Sequence, residues 1–520
     1  MDVLDPLMAG FANALAPDNL FWAFLGVMLG TAVGVVPGLG SAMAVALLLP
    51  VTFHLDPTGA FIMFAGVYYG GMFGDSTAAI LLNTPGQGSA IATAVEGHRM
   101  ARRGRAPQAL ATAACGAFVG ALLATTVVAF FSPAIVELAL RFGPAEYFAL
   151  TVFAFVAISS VVSHSAVRGL VALGIGLAIS LVGIDSLSGA ERFTLGVPEL
   201  FEGFSVITVT VALLAVGEVL YVAATAHAGQ GVGGALGRAG TPWLGSSDLR
   251  RAAPAWLRGT AFGLPFGAIP AGGAEIPTFL AYGTERRLSA RRARRGGRAD
   301  EFGKGAIEGV AAPEAAASAS AGTSMGTLLG LGLPTSATAA IMLAAFQQYG
   351  MQPGPLLFER NGDLVWALLA SLFIGSVMLL ALNLPFAPLW SRLLLIPTPY
   401  LYAGITVFAA LGVYAAASSM ADLWLMLVLS LVGLMMRRYG IPLAPVLIAV
   451  ILGPVAEVQL RRALAVGQGD VSVLVDSGIS LSIYGLLLAI GGAVVFGRVR
   501  ARRRAPRSGG GLRGDDVSAQ

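Results

Sequence analysis

The sequence predicts an all-α polytopic membrane protein of about 10–12 transmembrane helices, with broken or re-entrant helices in two inverted-topology repeats. Three observations predict it. Of 520 residues, 56% are hydrophobic and only 12% charged, with a mean hydropathy of +0.79; soluble domains carry about a quarter charged residues. Several apolar runs reach the roughly 20 residues a bilayer requires. Four of those runs are interrupted by Gly/Pro clusters that recur in the same order in both halves.

Apolar stretches lie near 20–50, 59–82, 107–131, 145–163, 166–184, 202–226, 255–283, 305–349, 364–385, 396–417, 420–436, 441–453 and 478–498. They define a first transmembrane repeat (1–226) and a second repeat with C-terminal helices (255–498). A polar, Gly-rich linker (227–254) is expected between them, and a basic, disordered tail (499–520) after them. The first 19 residues contain Asp2, Asp5 and Asp18 but no Lys or Arg, unlike the positive start of a signal peptide.

The interruptions are Pro37-Gly38-Leu39-Gly40-Ser41, Asn83 to Ser89, Pro270-Ala271-Gly272-Gly273 and Leu333 to Thr338. Proline removes a backbone donor and glycine weakens a helix. Within hydrocarbon the freed groups must be met by protein or by a wet cavity. Paired interruptions in two halves point to a transporter binding site, where half-helix N-termini face an anion and carbonyl ends face a cation. The residues expected to bind substrate are Pro37, Gly38, Gly40 and Ser41; Asn83, Thr84, Gly86, Gly88 and Ser89; Pro270, Gly272 and Gly273; and Pro334, Thr335, Ser336 and Thr338. The bland reading of each cluster is helix packing through small residues.

Charge supplies the orientation. The net charge is only +4, but Arg99–Arg105, Arg286–Arg298 and Arg498–Arg507 are basic bursts beside apolar sequence. Cationic loops stay cytoplasmic. Loops 99–105 and 286–298 follow non-equivalent breaks, so holding both on the cytoplasmic side requires repeats of opposite polarity. The N-terminus is then periplasmic, the C-terminus cytoplasmic, and the 20–50 stretch a hairpin open to the outer side.

Carboxylates at membrane depth are costly and functional by default. Asp75 with Ser76, Glu275 and Glu314 are the coupling-ion candidates, for sodium or a proton. For Glu314 a position at a helix start is the bland alternative. No basic residue stands out inside the apolar runs; Arg168 and Arg258 suit loop or interface positions. Recognition of an anion is therefore expected from backbone N–H groups and hydroxyls. Cys115 is the sole cysteine, which excludes disulfides and Cys-based metal sites within the chain. No phosphate-binding loop is present. No metal other than sodium, and no cofactor, is expected.

Tyr68-Tyr69-Gly70-Gly71-Met72-Phe73-Gly74, Leu81-Leu82-Asn83-Thr84-Pro85-Gly86, Val310-Ala311-Ala312-Pro313-Glu314-Ala315-Ala316 and Leu331-Gly332-Leu333-Pro334 carry a resemblance. With Pro37-Gly38-Leu39-Gly40 and Pro353-Gly354-Pro355, the chain resembles the large permease subunit of tripartite tricarboxylate transporters over about residues 20–400. It departs from that pattern at Asp75 and Thr335, where Gly is usual, and at Ala317-Ser318, where two Asn are usual. The resemblance implies a bacterial inner-membrane permease, not an enzyme. It would import tri- or dicarboxylates on an ion gradient. Its partners would be a small four-helix membrane subunit and a periplasmic solute-binding protein. The competing classes are an intramembrane aspartyl-type enzyme, which needs a second deep aspartate, and a passive anion channel, which needs a continuous pore.

Overall fold

The computed structural model describes residues 3–36, 40–52, 55–161, 166–185, 188–225, 243–269, 273–296, 299–393, 397–417 and 419–489. Its element order is α1 (Leu4–Ala14), α2 (Pro17–Val35), α3 (Ser41–Thr52), α4 (Pro57–Leu82), α5 (Gly88–Met100), α6 (Ala106–Ala139), α7 (Pro144–Val161) and α8 (Ala166–Ser180). After a two-residue β-ladder (Gly183–Ile184 with Glu191–Arg192) come α9 (Val206–Thr210), a π-helical turn (Val211–Val216) and α10 (Gly217–Thr225). Then follow α11 (Ser246–Ala268), α12 (Glu275–Arg294), α13 (Glu308–Leu331), α14 (Ala337–Gln348), α15 (Pro355–Arg360), α16 (Gly362–Leu393), α17 (Thr398–Ala417), α18 (Met420–Arg438) and α19 (Leu443–Val466). Seven helices among the described residues are long and apolar enough to cross a membrane. Much of the stretch read as a linker lies outside the described residues, but its last part is helical. Ser246 to Pro254 open α11, where Arg251 binds Glu301 and Glu308, each at 2.8 Å.

The core of the molecule is a pair of helices, α4 and α13. Every residue from Gly59 to Leu81 and from Glu308 to Gly330 is buried. A helix apolar all round belongs in the middle of a bundle. Each packs against a parallel neighbour through a stripe of glycines. On α2 a Cβ at Gly26, Gly30 or Gly34 would lie 2.2–2.5 Å from the carbonyl oxygens of Met63, Val67 and Gly71. On α11 a Cβ at Gly259, Gly263 or Gly267 would lie 2.1–2.4 Å from those of Ala312, Ala316 and Ser320. The spacing is the same in both halves, and only glycine permits backbones this close.

The rising numbers on both members of each pair show that α2 runs parallel to α4, and α11 to α13. α3 turns back from the end of α2. Its last residue, Thr52, accepts a hydrogen bond from Tyr349 Oη at 2.5 Å, just beyond α14. α12 turns back in the same way from α11, and its Tyr282 reaches Glu96 near the end of α5. The start of α4 and the end of α14 thus share one end of the molecule. The end of α5 and the start of α13 share the other, where Glu96 accepts from the Gly303, Gly305 and Ala306 amides at 2.7–3.0 Å. The two hairpins, α2–α3 and α11–α12, open at opposite ends. The long helices exchange between halves: α6 packs on α13 and α11, and α16 on α4 and α2. The two basic stretches read as loops are helical: Arg99–Arg105 closes α5 and continues through a π-helical turn, and Arg286–Arg294 forms the last turns of α12 (297 and 298 lie outside the described residues). They lie at the same end, the pairing an inverted repeat requires.

Candidate functional site

α4 and α13 stop at equivalent points for the same local reason. Asn83 (φ 59°) and Gly332 (φ 69°) adopt the left-handed conformation that terminates a helix. Two residues later Pro85 and Pro334 have no N–H with which to resume it. The chain restarts as α5 at Gly88 and as α14 at Ala337, where Ser336 Oγ caps by accepting from the Ala339 amide at 3.2 Å.

Each break is strapped to its own helix over the same eleven-residue interval. The Asp75 carboxylate accepts from the Gly86 amide and, at 3.0 Å, from the Gln87 amide. In the other half Thr335 Oγ1 donates to Ser324 Oγ at 2.6 Å. Asp75 therefore anchors a turn and neutralises the exposed donors preceding α5.

The N-termini of α3, α5, α12 and α14 converge on one cavity of about 320 Å³. Its wall includes Gly40, Gly86, Gly88, Ser89, Gly273, Thr335, Ser336 and Thr338, singled out from sequence as substrate-binding residues, and Glu275, singled out as a coupling-ion candidate. Contacts along the wall tie the breaks together, some within one half and some, Ser41–Thr338 and Tyr68–Ser336, between the halves. Ser41 Oγ lies 2.9 Å from Thr338 Oγ1 and donates to Gln87 Oε1 at 3.2 Å. Tyr68 Oη lies 3.2 Å from Ser336 Oγ. Ser320 Oγ donates to the Gly273 carbonyl at 3.3 Å. A Cβ at Gly88 would meet Glu275 Cγ at 2.5 Å, so α5 approaches α12 through that glycine. Asn83 and Thr84 are exposed in the first turn and Pro334 is buried in the second; none of the three lines the cavity. Pro37, Gly38, Pro270 and Gly272 lie outside the described residues.

Behind this wall Glu314 is buried. Its Oε1 accepts from Ser76 Oγ at 2.8 Å and from Thr93 Oγ1 at 2.5 Å. It does not sit at a helix start, since Glu308 holds that position in α13. No group of three or more His, Cys, Asp or Glu able to hold a metal ion occurs among the described residues.

Sequence reasoning missed three contributors. Gln87 lines the cavity, and its Nε2 has no hydrogen-bond partner among the described residues. Thr93 completes the hydroxyl pair on Glu314. Arg437, in the last turn of α18, also lines the cavity. That corrects the expectation of a binding wall without a cation. At a helix end followed by Arg438 and Tyr439, Arg437 reads in sequence as an interfacial residue; only tertiary packing brings it here.

No solved structure matches this chain. A relative described as an uncharacterized 52.8 kDa protein in the TAR-I ttuC' 3' region of Agrobacterium vitis is 40% identical over 503 residues, 97% of this chain and 98% of the relative. A second, from the TAR-II ttuC' 3' region of the same organism, is 37% identical over 237 residues, 46% of this chain and 95% of the relative. The model of the tripartite tricarboxylate transporter TctA family matches residues 20–448. The chain is a member of the tripartite tricarboxylate transporter TctA family, a membrane transporter permease.

Proposed function

We propose that this permease is a secondary active transporter importing small di- or tricarboxylates across the bacterial inner membrane, and that it binds them in the cavity between the two breaks. One observation carries the reading: the N-termini of α3, α5, α12 and α14 meet at one cavity. A helix N-terminus carries first-turn amides and a partial positive charge that favour carboxylates; Asp75 takes the Gly86 and Gln87 amides ahead of α5, and Ser336 the Ala339 amide of α14. Thr335, Ser336, Thr338 and Ser89 add hydroxyls, and Gln87 Nε2 adds a donor without a partner among the described residues.

Glu314, Ser76 and Thr93 form the coupling site in this reading. A buried carboxylate beside two hydroxyls, and without a cationic partner among the described residues, must take up a proton or a sodium ion to avoid a heavy desolvation cost. The opposed polarity of the halves supports alternating access across a fixed site. The basic end, with Arg99–Arg105 and the C-terminal turns of α12, faces the cytoplasm. The opposite end receives substrate from a periplasmic solute-binding protein, and a small four-helix subunit completes the assembly. Membership of a transporter family weighs against an intramembrane enzyme. So does the commitment of Asp75 to two backbone amides.

Uptake of [14C]citrate and [14C]succinate into proteoliposomes tests this, with an imposed sodium or proton gradient and the periplasmic protein and small subunit supplied. The reading predicts saturable, gradient-dependent accumulation of a carboxylate. Equilibration without accumulation would indicate a channel, and the absence of any flux would refute the transport reading.

A further inference from the structure

The cavity wall contains one full cation among its described residues, and none of the four breaks supplies it. Arg437 comes from α18. Its Nη2 lies 2.5 Å from Glu218 Oε2, and its Cζ lies 6.0 Å above the centre of the Tyr221 ring. Glu218 and Tyr221 are one turn apart on α10, so a single helix face holds the guanidinium from two sides. Glu218 is 5% exposed and Arg437 35%, so the pair is buried at its acidic end and open at its basic end. The π-helical turn Val211–Val216, just before α10, places Leu214 on the same wall.

A guanidinium has five N–H donors, and one carboxylate uses at most two of them. The Glu218 pair therefore leaves donors for a second anion. The wall also carries one carboxylate, Glu275, which repels an anionic ligand. Helix termini and hydroxyls offer only fractional charges against it. A fixed guanidinium offsets that repulsion and reads carboxylate geometry in a way a helix dipole cannot.

We propose that Arg437 pairs directly with a carboxylate of the transported anion, and that Glu218 and Tyr221 position its guanidinium at the cavity wall. This rests on the carboxylate-permease reading above. It assigns substrate selection partly to α10 and α18, away from the four breaks.

Equilibrium binding of [14C]citrate and [14C]succinate to the purified, detergent-solubilised full chain tests it. Arg437→Gln is expected to raise the Kd for both anions at least about tenfold, with Arg437→Lys intermediate. Arg437→Gln alone strands the buried Glu218 charge and can unfold the protein. The double variant Arg437→Gln with Glu218→Gln removes both charges; it is expected to keep the wild-type melting temperature and still bind weakly. Glu218→Gln alone is expected to change the ratio of citrate to succinate Kd at an unchanged melting temperature, and Glu218→Asp to restore it in part. Wild-type affinity in the folded double variant would overturn the assignment of Arg437 while leaving the carboxylate reading intact. A wild-type protein that retains neither anion would overturn the carboxylate reading itself, and this proposal with it.

Discussion

Asp75 and Glu314 are both buried carboxylates on the central helices, yet their surroundings give them different work. Asp75 faces two backbone amides, which are fixed donors. Glu314 faces two hydroxyls, which can donate or accept. Replacing Asp75 with Ala strands the Gly86 and Gln87 amides, at about 1–3 kcal/mol for each buried donor. The expected result is a lower melting temperature in detergent together with weaker uptake. Glu314→Gln keeps the shape and the hydrogen bonds, so its melting temperature should stay close to wild type while uptake loses its sodium or pH dependence. Unaltered ion dependence in a folded Glu314→Gln protein would remove Glu314 from the coupling site. The sequence made Asp75 and Glu314 visible as costly intramembrane charges but could not divide the roles, because the partners of Glu314 come from α4 and α5, 238 and 221 residues away. Arg437 and Gln87 were illegible for a related reason: nothing in their neighbours along the chain separates them from an interfacial arginine and a turn glutamine.

At the scale of elements, the breaks were the most legible feature. Pro85 and Pro334, with Asn83 and Gly332 just before them, state in sequence where α4 and α13 must stop. The glycine stripes were legible only in part. Gly34 and Gly267 each lie three residues before a break proline, Pro37 and Pro270, whereas Gly26, Gly30, Gly259 and Gly263 are inconspicuous in a chain with 68 glycines. The structure gives each a carbonyl oxygen within 2.5 Å of where a Cβ would sit. Gly30→Leu and the equivalent Gly263→Leu should each force α2 from α4, or α11 from α13, at a cost of about 1–3 kcal/mol or more. The check is the yield of monodisperse protein in gel filtration. Both substitutions are expected to fail alike, whereas Gly283→Leu, with no atom within 4 Å of the added Cβ, should behave as wild type. The start of α11 at Ser246 escaped a pattern reading because its opening turns are polar and bind Glu301, Glu308 and the Arg105 loop through ion pairs, not through an apolar stripe.

Over the whole molecule, opposite polarity of the halves follows from which loops touch. Thr52 meets Tyr349 at one end, and Glu96 meets Gly303, Gly305 and Ala306 at the other. Charge placement in the sequence supported the same arrangement, since only that polarity brings both basic loops to one side. With Cys115→Ser as background, cysteines introduced at Arg103 and Arg292 should both react with a membrane-impermeant maleimide only after the inner membrane is opened. One introduced at Asp56 should react in intact spheroplasts. Labelling of Arg103→Cys and Arg292→Cys from opposite sides would contradict the arrangement.

The central claim is that a carboxylate sits where four helix N-termini converge. Protection of Ser336→Cys from maleimide, in the Cys115→Ser background of the full chain, reads that directly, because Ser336 caps α14 and lines the cavity. Citrate or succinate at saturating concentration should slow labelling by about an order of magnitude at constant ionic strength, while chloride should not. Equal labelling rates with and without a carboxylate that the protein demonstrably transports would place its binding site elsewhere.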